Sequence, residues 1–182
     1  KNESLLKSLK LKLNFLDLEK KIILVTGHRR ESFGEGFERV CGAIKKIASK
    51  HKDVQIIFLV HLNPKVQEPV KRQLSDIKNV VLIGPQNYLS FIYLLEKASI
   101  ILTDSGGIQE EAPSFSKPVL VMREFTERPE AMDVGAIKLV GTSVEMIVGE
   151  IDLLLNNDIE YKKMCKGSNP YGDGFASKRI IK

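Results

Sequence analysis

The stretch Thr103-Asp104-Ser105-Gly106-Gly107-Ile108-Gln109-Glu110-Glu111-Ala112-Pro113 follows the short apolar run Ser99-Ile100-Ile101-Leu102. A β-branched run that breaks at Ser-Gly-Gly and continues with helix-forming residues predicts a strand, a tight turn and a helix N-terminus. The first turn of a helix has backbone N–H groups without intrahelical partners, and glycines let an anion approach them closely. Glu111 lies about one turn into this helix, where its carboxylate could accept from ribose hydroxyls. The stretch therefore predicts a cradle for a nucleotide diphosphate.

The same alternation of strand and helix extends along the chain. Apolar runs predict six strands, at residues 22–26, 54–60, 79–83, 99–102, 118–122 and 136–140. Amphipathic segments predict the helices, at residues 37–48, 64–74, 88–98, 106–111, 128–133, 144–155 and 159–166. This order predicts an α/β fold: a Rossmann-like, doubly wound parallel sheet of about six strands with helices on both faces. Because ligands bind at the carboxyl ends of such strands, the loops that follow them are expected to gather at one edge.

Length and composition set the class of protein. The 182 residues fit one domain, and 43% apolar with 28% charged residues is typical of a globular protein. No apolar run approaches the ~20 residues of a membrane span, and the charged start at Lys1 is unlike a secretory signal. We therefore expect no membrane association and a cytoplasmic location, and the chain could be part of a longer one. Residues 1–20 are expected to form a connecting segment rather than core, and residues 21–182 the domain.

Charge and cysteines narrow the range of partners. The net charge of +5 is modest, and basic residues occur in scattered pairs, so we expect a small anionic ligand and no nucleic acid.

Cys41 and Cys165 belong to no cluster, so neither a disulfide nor a metal site is expected. Cys41 lies on the apolar stripe of a helix and is predicted to be buried, whereas His51, between two lysines, is expected to face solvent.

Several long motifs in order identify a family resemblance. They are Gly27-His28-Arg29-Arg30-Glu31-Ser32-Phe33-Gly34, Val60-His61-Leu62-Asn63-Pro64, the 103–113 stretch, Thr126-Glu127-Arg128-Pro129-Glu130 and Asn169-Pro170-Tyr171-Gly172-Asp173-Gly174. Together they resemble the C-terminal half of the non-hydrolysing bacterial UDP-N-acetylglucosamine 2-epimerases, from about Lys21 onward. Several ordered motifs are far more specific than any single glycine-rich pattern.

The resemblance implies the fold and the chemistry. It implies one half of a two-domain, glycosyltransferase-B-like architecture that holds UDP-sugar between its domains. It implies interconversion of UDP-GlcNAc and UDP-ManNAc, by elimination of UDP to a 2-acetamidoglucal and re-addition, with no cofactor. Much of the acid/base chemistry would belong to an N-terminal domain, so this chain alone is expected to be inactive. The full-length enzyme is expected to be a homodimer, and in bacteria that carry such enzymes N-acetylmannosamine feeds surface-polysaccharide biosynthesis.

The resemblance also assigns residues to roles. His28 would be catalytic, and Arg29 and His61 would belong to an adjoining regulatory UDP-GlcNAc site. The residues expected to bind UDP are Gln86 and Phe91 at the uracil, Ser105, Gly106, Gly107 and Arg128 at the phosphates, and Glu111 at the ribose. Asp104 and Glu110 are less certain and are also consistent with structural roles.

Plainer interpretations of these residues stay open. His28 and His61 are also consistent with ordinary loop positions, Phe91 with helix core, and Glu111 with a favourable charge near a helix N-terminus. Two other functions also stay open. A B-type UDP-sugar glycosyltransferase shares the glutamate on the helix but leaves the Gly-His-Arg-Arg-Glu motif without a role. A non-catalytic UDP-binding module would bind UDP without turnover.

Overall fold

The computed structural model describes residues 2–166 and 169–181. Within them, six strands form one parallel sheet in the order β3-β2-β1-β4-β5-β6. The strands are β1 (Lys21–Gly27), β2 (Val54–Val60), β3 (Val80–Ile83), β4 (Ile100–Thr103), β5 (Val119–Val121) and β6 (Ile137–Leu139). Both the number of strands and their parallel direction confirm the sequence-based prediction.

Helices connect and cover these strands. They are α1 (Asn2–Lys12), α2 (Glu35–Lys50), α3 (Pro64–Leu74), α4 (Tyr88–Lys97), α5 (Gly106–Glu111), α6 (Pro129–Asp133), α7 (Val144–Asn156), α8 (Asp158–Cys165) and α9 (Ala176–Ile180). Short 3₁₀ turns occupy Arg30–Ser32 and Ala112–Phe115. Local chemistry fixes several helix starts: the side chains of Asn63, Asn87 and Ser143 each accept a backbone N–H of the first turn.

Alternate residues of the central strand face two separate cores. Ile23 and Val25 of β1 pack in one core with α2, α3 and α7, whereas Ile22 and Leu24 pack in the other with α1, α4, α5 and α6. Cys41 is fully buried in the first core, as predicted. Because both faces are covered, the strands are apolar on both sides, which is why they occur as continuous apolar runs in the sequence.

The strand order places a topological switch point between β1 and β4. It is the Rossmann order, in which the chain runs outward from β1 to β3 and then crosses back to β4. A crevice opens at the carboxyl ends of the strands at this point. The loops that carry the sequence motifs follow the strands and gather at this edge.

Two expectations outside the site need correction. Leu9 and Leu13 are buried in the second core, so the segment before β1 contributes to the core and does more than connect. His51 does not face solvent: its Nε2 lies 2.6 Å from Oδ1 of Asp152 on α7, and its side chain is 13% exposed. Among the described residues, no helix is long and apolar enough to cross a membrane.

Candidate functional site

Two threonines join β1 and β4 at the switch point. Thr26 and Thr103 are partners in the sheet register, and their hydroxyl oxygens lie 2.7 Å apart in the interior. Beyond them, β1 continues into His28 and β4 into Ser105. The sheet therefore brings the Gly-His-Arg-Arg-Glu loop and the glycine-rich helix start to the same place.

Asp104 ties these two loops together. It is buried, and its Oδ2 accepts the backbone N–H groups of His28 and Arg29 at 2.8 Å each. Its Oδ1 is buried without a hydrogen bond in the described chain, and Nδ1 of His28 is 3.4 Å away. These contacts give Asp104 a structural role in shaping the site, one of the two possibilities left open by the sequence.

The N-terminus of α5 faces the crevice. Ser105 occupies the N-cap position, but its side chain makes no capping hydrogen bond. A Cβ atom added at Gly106 would meet Nη2 of Arg29 at 3.7 Å, and one added at Gly107 would meet Oγ of Ser105 at 4.0 Å, so neither position is packed tightly. The helical stretch continues through the 3₁₀ turn to Phe115. Backbone amides at such a terminus can receive an anion.

Glu111 ends α5 in a half-buried position. Burial, and after it the charge of Glu110, raise the pKa of the Glu111 carboxyl above its ordinary value. The amide of Asn169 donates to the Glu110 carbonyl at 3.3 Å and to Oγ of Ser114 at 2.6 Å, which fastens the C-terminal loop to this helix. The sequence singled out the 169–174 segment but gave no reason for Asn169.

A cavity of about 250 Å³ opens beside the histidines. His28 and His61 stack with their ring centroids 5.5 Å apart, so the structure brings these two predicted residues together. Half-buried Phe91 and Gln86 line the same cavity. The Gln86 amide donates to the Gly84 carbonyl at 3.0 Å, while its Oε1 is buried without a partner in the described chain. The cavity therefore offers an aromatic ring and an unused acceptor.

The predicted arginines are each held by a carboxylate. Nη1 of Arg29 lies 3.9 Å from Glu127, and Nε of Arg128 donates to Glu110. The backbone N–H of Arg128 also donates to Oγ1 of Thr126 at 3.0 Å. Glu110 thus holds an arginine, a structural role of the kind that the sequence allowed.

Sequence analysis missed Arg123, which lies two residues after β5. Its side chain is 1% exposed and donates to Glu31 at 2.7 Å and to Glu127 at 2.5 and 3.0 Å. An arginine close to the end of a buried strand, with one glutamate in its own loop and another in the loop after β1, was a signal in the sequence. Its importance became visible only when the fold brought those loops together.

A larger concavity lies elsewhere. It measures about 580 Å³ and is lined by residues near the amino ends of the strands, namely Lys20, Lys45, Ser49, Lys52, Asp76, Ile77, Lys78 and Asn79. None of these residues belongs to the motifs of the resemblance. Because ligands of doubly wound sheets bind at the carboxyl ends, the smaller cavity at the switch point is the candidate site.

The fold and its switch-point site define a Rossmann-like half of the glycosyltransferase-B architecture. The C-terminal domain of a group 1 glycosyl transferase from Francisella tularensis shares this fold, with a TM-score of 0.63 at 18% identity over 83% of this chain and 82% of that one. The chain belongs to the UDP-N-acetylglucosamine 2-epimerase family, whose family model matches residues 3–182.

Relatives and solved structures agree with this membership. The chain is 60% identical to a UDP-N-acetylglucosamine 2-epimerase of Yersinia pestis over 92% of its length and 45% of that protein, and 59% identical to the Escherichia coli K12 enzyme over 92% and 44%. It matches Neisseria meningitidis UDP-GlcNAc 2-epimerase bound to UDP-GlcNAc with a TM-score of 0.94 at 46% identity, over 98% of this chain and 48% of that one. A Staphylococcus aureus MnaA–UDP structure matches at 0.87 and 41% identity, over 95% and 46%. The chain spans about half the length of these relatives.

Proposed function

We propose that this chain supplies the UDP-binding half of a UDP-N-acetylglucosamine 2-epimerase. The observation that carries the proposal is the uncapped start of α5 at the switch point, with Arg29 beside Gly106. Free backbone amides and a nearby guanidinium are suited to a diphosphate. Family membership and the relatives solved with UDP and with UDP-GlcNAc support this ligand.

The diphosphate and the ribose of UDP would both bind along α5. The diphosphate would lie on Ser105, Gly106 and Gly107, with Arg128 completing the charge clamp. Glu111 would accept from the ribose hydroxyls at the far end of α5.

The uracil would occupy the 250 Å³ cavity. There Phe91 would pack against the base, and a uracil N3–H would give the buried Oε1 of Gln86 the donor that it lacks.

In the proposed reaction, a base removes the C2 proton while the C1–O bond to UDP breaks, leaving 2-acetamidoglucal. UDP then adds back to C1, and C2 receives a proton on the opposite face. His28 would assist departure of UDP by donating to a phosphate oxygen. No residue of this chain is assigned as the base at C2, so we propose that the chain alone binds UDP without turnover.

The stacked pair of His28 and His61 supports a second, regulatory UDP-GlcNAc site next to the first. His61 and Arg29 would hold that ligand, and His28 would lie between the two sites. A cytoplasmic location and a homodimeric full-length enzyme also stay predictions.

Calorimetric titration of the chain with UDP, CDP and ADP tests the binding proposal. We expect UDP to bind and the other two to bind at least tenfold more weakly, because Gln86 would read the edge of the uracil. Binding of all three with equal affinity, or of none, would contradict the assignment.

A parallel assay with UDP-GlcNAc in deuterated water tests the proposed inactivity. We expect no C2 exchange and no UDP-ManNAc from the chain alone. Measurable epimerisation would show that this half contains the base. An acceptor-dependent sugar transfer would instead favour the glycosyltransferase interpretation.

A further inference from the structure

We propose that Arg123 is a positioning residue: it fixes the 123–128 loop against the loop after β1 and so keeps Arg29 and Arg128 in place for the phosphates. This inference rests on the proposed UDP-binding function. In this proposal Arg123 does not contact the ligand. It only holds in place the two loops that carry Arg29 and Arg128.

The first observation is that the buried Arg123 side chain bridges two half-exposed carboxylates. Arg123 Nε donates to Oε1 of Glu31 at 2.7 Å, on the loop after β1. Its Nη1 and Nη2 donate to the two carboxylate oxygens of Glu127 at 2.5 and 3.0 Å. The Phe125 ring centroid lies 4.9 Å from the guanidinium carbon. One planar side chain thus binds two loops that are far apart in sequence.

Charge reinforces this geometry. The hydrogen bond from Arg123 lowers the pKa of the Glu127 carboxyl to about 2, and hydrogen bonds from Glu127 and Glu31 raise the pKa of Arg123 above its ordinary value. Arg123 and Glu127 therefore stay charged throughout the neutral range. The loop contact does not depend on pH near neutrality.

The clamp is continuous with the candidate phosphate contacts. Glu127 immediately precedes Arg128, and its Oε1 also lies 3.9 Å from Nη1 of Arg29. On the other side of the loop, Thr126 donates to the buried Oε1 of Gln109 on α5 at 2.5 Å. The loop is thus fixed between α5 and the loop after β1.

Loss of Arg123 has a specific consequence. It leaves the Glu127 carboxylate without its main partner, beside the place where a diphosphate would lie. An unpaired carboxylate there repels the phosphates and competes for Arg29. Gln86 and Phe91 lie after β3 and on α4, and neither is a partner of Arg123, so uracil contacts are left in place.

Three single substitutions and one double substitution test the proposal. Arg123→Met removes the charge, and Arg123→Lys keeps it but cannot form the planar fork to two carboxylates. The matched control is Arg72→Met, because Arg72 is exposed and pairs with Glu38 away from the site. Thermal unfolding is measured for each, and UDP and uridine are titrated by calorimetry and NMR.

We expect Arg123→Met to raise the Kd for UDP about 10- to 100-fold and the Kd for uridine less than twofold. Arg123→Lys should fall between Arg123→Met and wild type, and Arg72→Met should change neither constant. Adding Glu127→Gln to Arg123→Met should recover at least threefold in UDP affinity, because it removes the unpaired charge. A merely structural role would not produce this recovery.

Failure of the proposed function and failure of the positioning role of Arg123 give different results. If the wild-type chain binds no UDP, the proposed function is wrong. If wild type binds UDP but Arg123→Met and Arg123→Lys weaken UDP and uridine by equal factors, or if Glu127→Gln gives no recovery, Arg123 does not position the phosphate contacts.

Discussion

The carboxylate of Asp104 fixes both the backbone and the ring environment of His28. Its Oδ2 accepts the backbone N–H of His28 at 2.8 Å, and its Oδ1 lies 3.4 Å from the ring Nδ1. The Oδ1 atom is buried and lacks another partner in the described chain, so an Nδ1–H on His28 would be its natural donor. Nε2 would then be the ring nitrogen that faces a ligand, and it would donate to a phosphate oxygen of UDP only when the ring carries both protons.

Replacing Asp104 by Asn should change the imidazole more than the fold. The amide oxygen can still accept the backbone N–H groups of His28 and Arg29, but the amide nitrogen presents donors to Nδ1. We expect the His28 tautomer to shift, as observed by the ¹⁵N shifts of the ring nitrogens. Asp104→Ala should also leave two backbone donors unpaired and cost about 1–3 kcal/mol of unfolding free energy.

Asp152→Asn is the matched control, because Asp152 is also paired with a histidine, His51, but lies away from the switch point. It should move the ring nitrogen shifts of His51 and leave those of His28 unchanged. An Asp104→Asn variant with unchanged His28 ring shifts would contradict the proposed orientation.

Gly106→Ala should separate binding from stability. The added methyl would meet Arg29 Nη2 at an ordinary 3.7 Å, so the fold should tolerate it and could gain about 0.5–1 kcal/mol from the stiffer residue. The same methyl would occupy the approach to the α5 amides. We expect the Kd for UDP to rise at least tenfold, as measured by calorimetry.

The control for this substitution is Gly149→Ala in α7, where an added Cβ meets nothing within 4 Å. It should raise the thermal midpoint and leave UDP binding unchanged. Unchanged UDP affinity in Gly106→Ala would show that the phosphates do not approach this helix start.

The pattern of apolar residues was sufficient to predict the architecture, because each strand of a parallel sheet that is covered on both faces is a continuous apolar run. The predicted strand at 54–60 matches Val54–Val60, and the helix predicted at 144–155 matches Val144–Asn156 within one residue. His28 follows β1 directly, and Ser105 lies two residues after β4. Because the strands are parallel, the sequence alone predicts that both residues lie at the same edge of the sheet.

Contacts between distant loops could not be predicted in this way. Local pattern says nothing about which carboxylate a given arginine will meet, so the bridge from Arg123 to Glu31, 92 residues apart, was missed. The same holds for His51 and Asp152, which are 101 residues apart, since α2 and α7 are distant in sequence and pack together only in the folded chain. Leu9 and Leu13 were missed because many lysines surround them.

Glu111→Gln should weaken UDP binding while stabilising the fold. Because folding raises the pKa of Glu111, the fold favours the protonated carboxyl over the charged one. The stabilisation from this group is therefore fully present below the ordinary pKa of 4.5 and is lost as pH rises through the raised pKa. We therefore expect a higher thermal midpoint than wild type at pH 7 and no difference below pH ~4. Loss of the charged acceptor should raise the Kd for UDP about 10- to 100-fold.

Glu145→Gln provides a control of opposite sign. A hydrogen bond from its own backbone, and after it one from Ser143, lowers the pKa of Glu145. Its ionised form therefore favours the fold, and the substitution should lower the midpoint at pH 7 without affecting UDP. A Glu111→Gln variant that lowers the midpoint at pH 7 would contradict the direction of the pKa shift.

Acid should weaken the packing of α7 against α2 through Asp152. Burial alone would raise the pKa of this carboxyl, but hydrogen bonds from Lys50 and His51 outweigh burial and lower it below the ordinary value of 3.8. A lowered pKa means that the contribution of Asp152 is present above 3.8 and is lost as pH falls through the folded-state pKa.

The comparison of wild type with Asp152→Asn therefore has a defined pH profile. The variant should cost about 1–3 kcal/mol of unfolding free energy at pH ~7, and the difference should shrink as pH falls below ~4. Urea unfolding at each pH measures it. Of the two partners, His51 is 13% exposed and Lys50 57%, so His51→Phe should cost more than Lys50→Met, whose ion pair is largely screened by water. A gap between wild type and Asp152→Asn that is the same at pH ~3 as at pH ~7 would show that the carboxylate charge does not hold the two helices together.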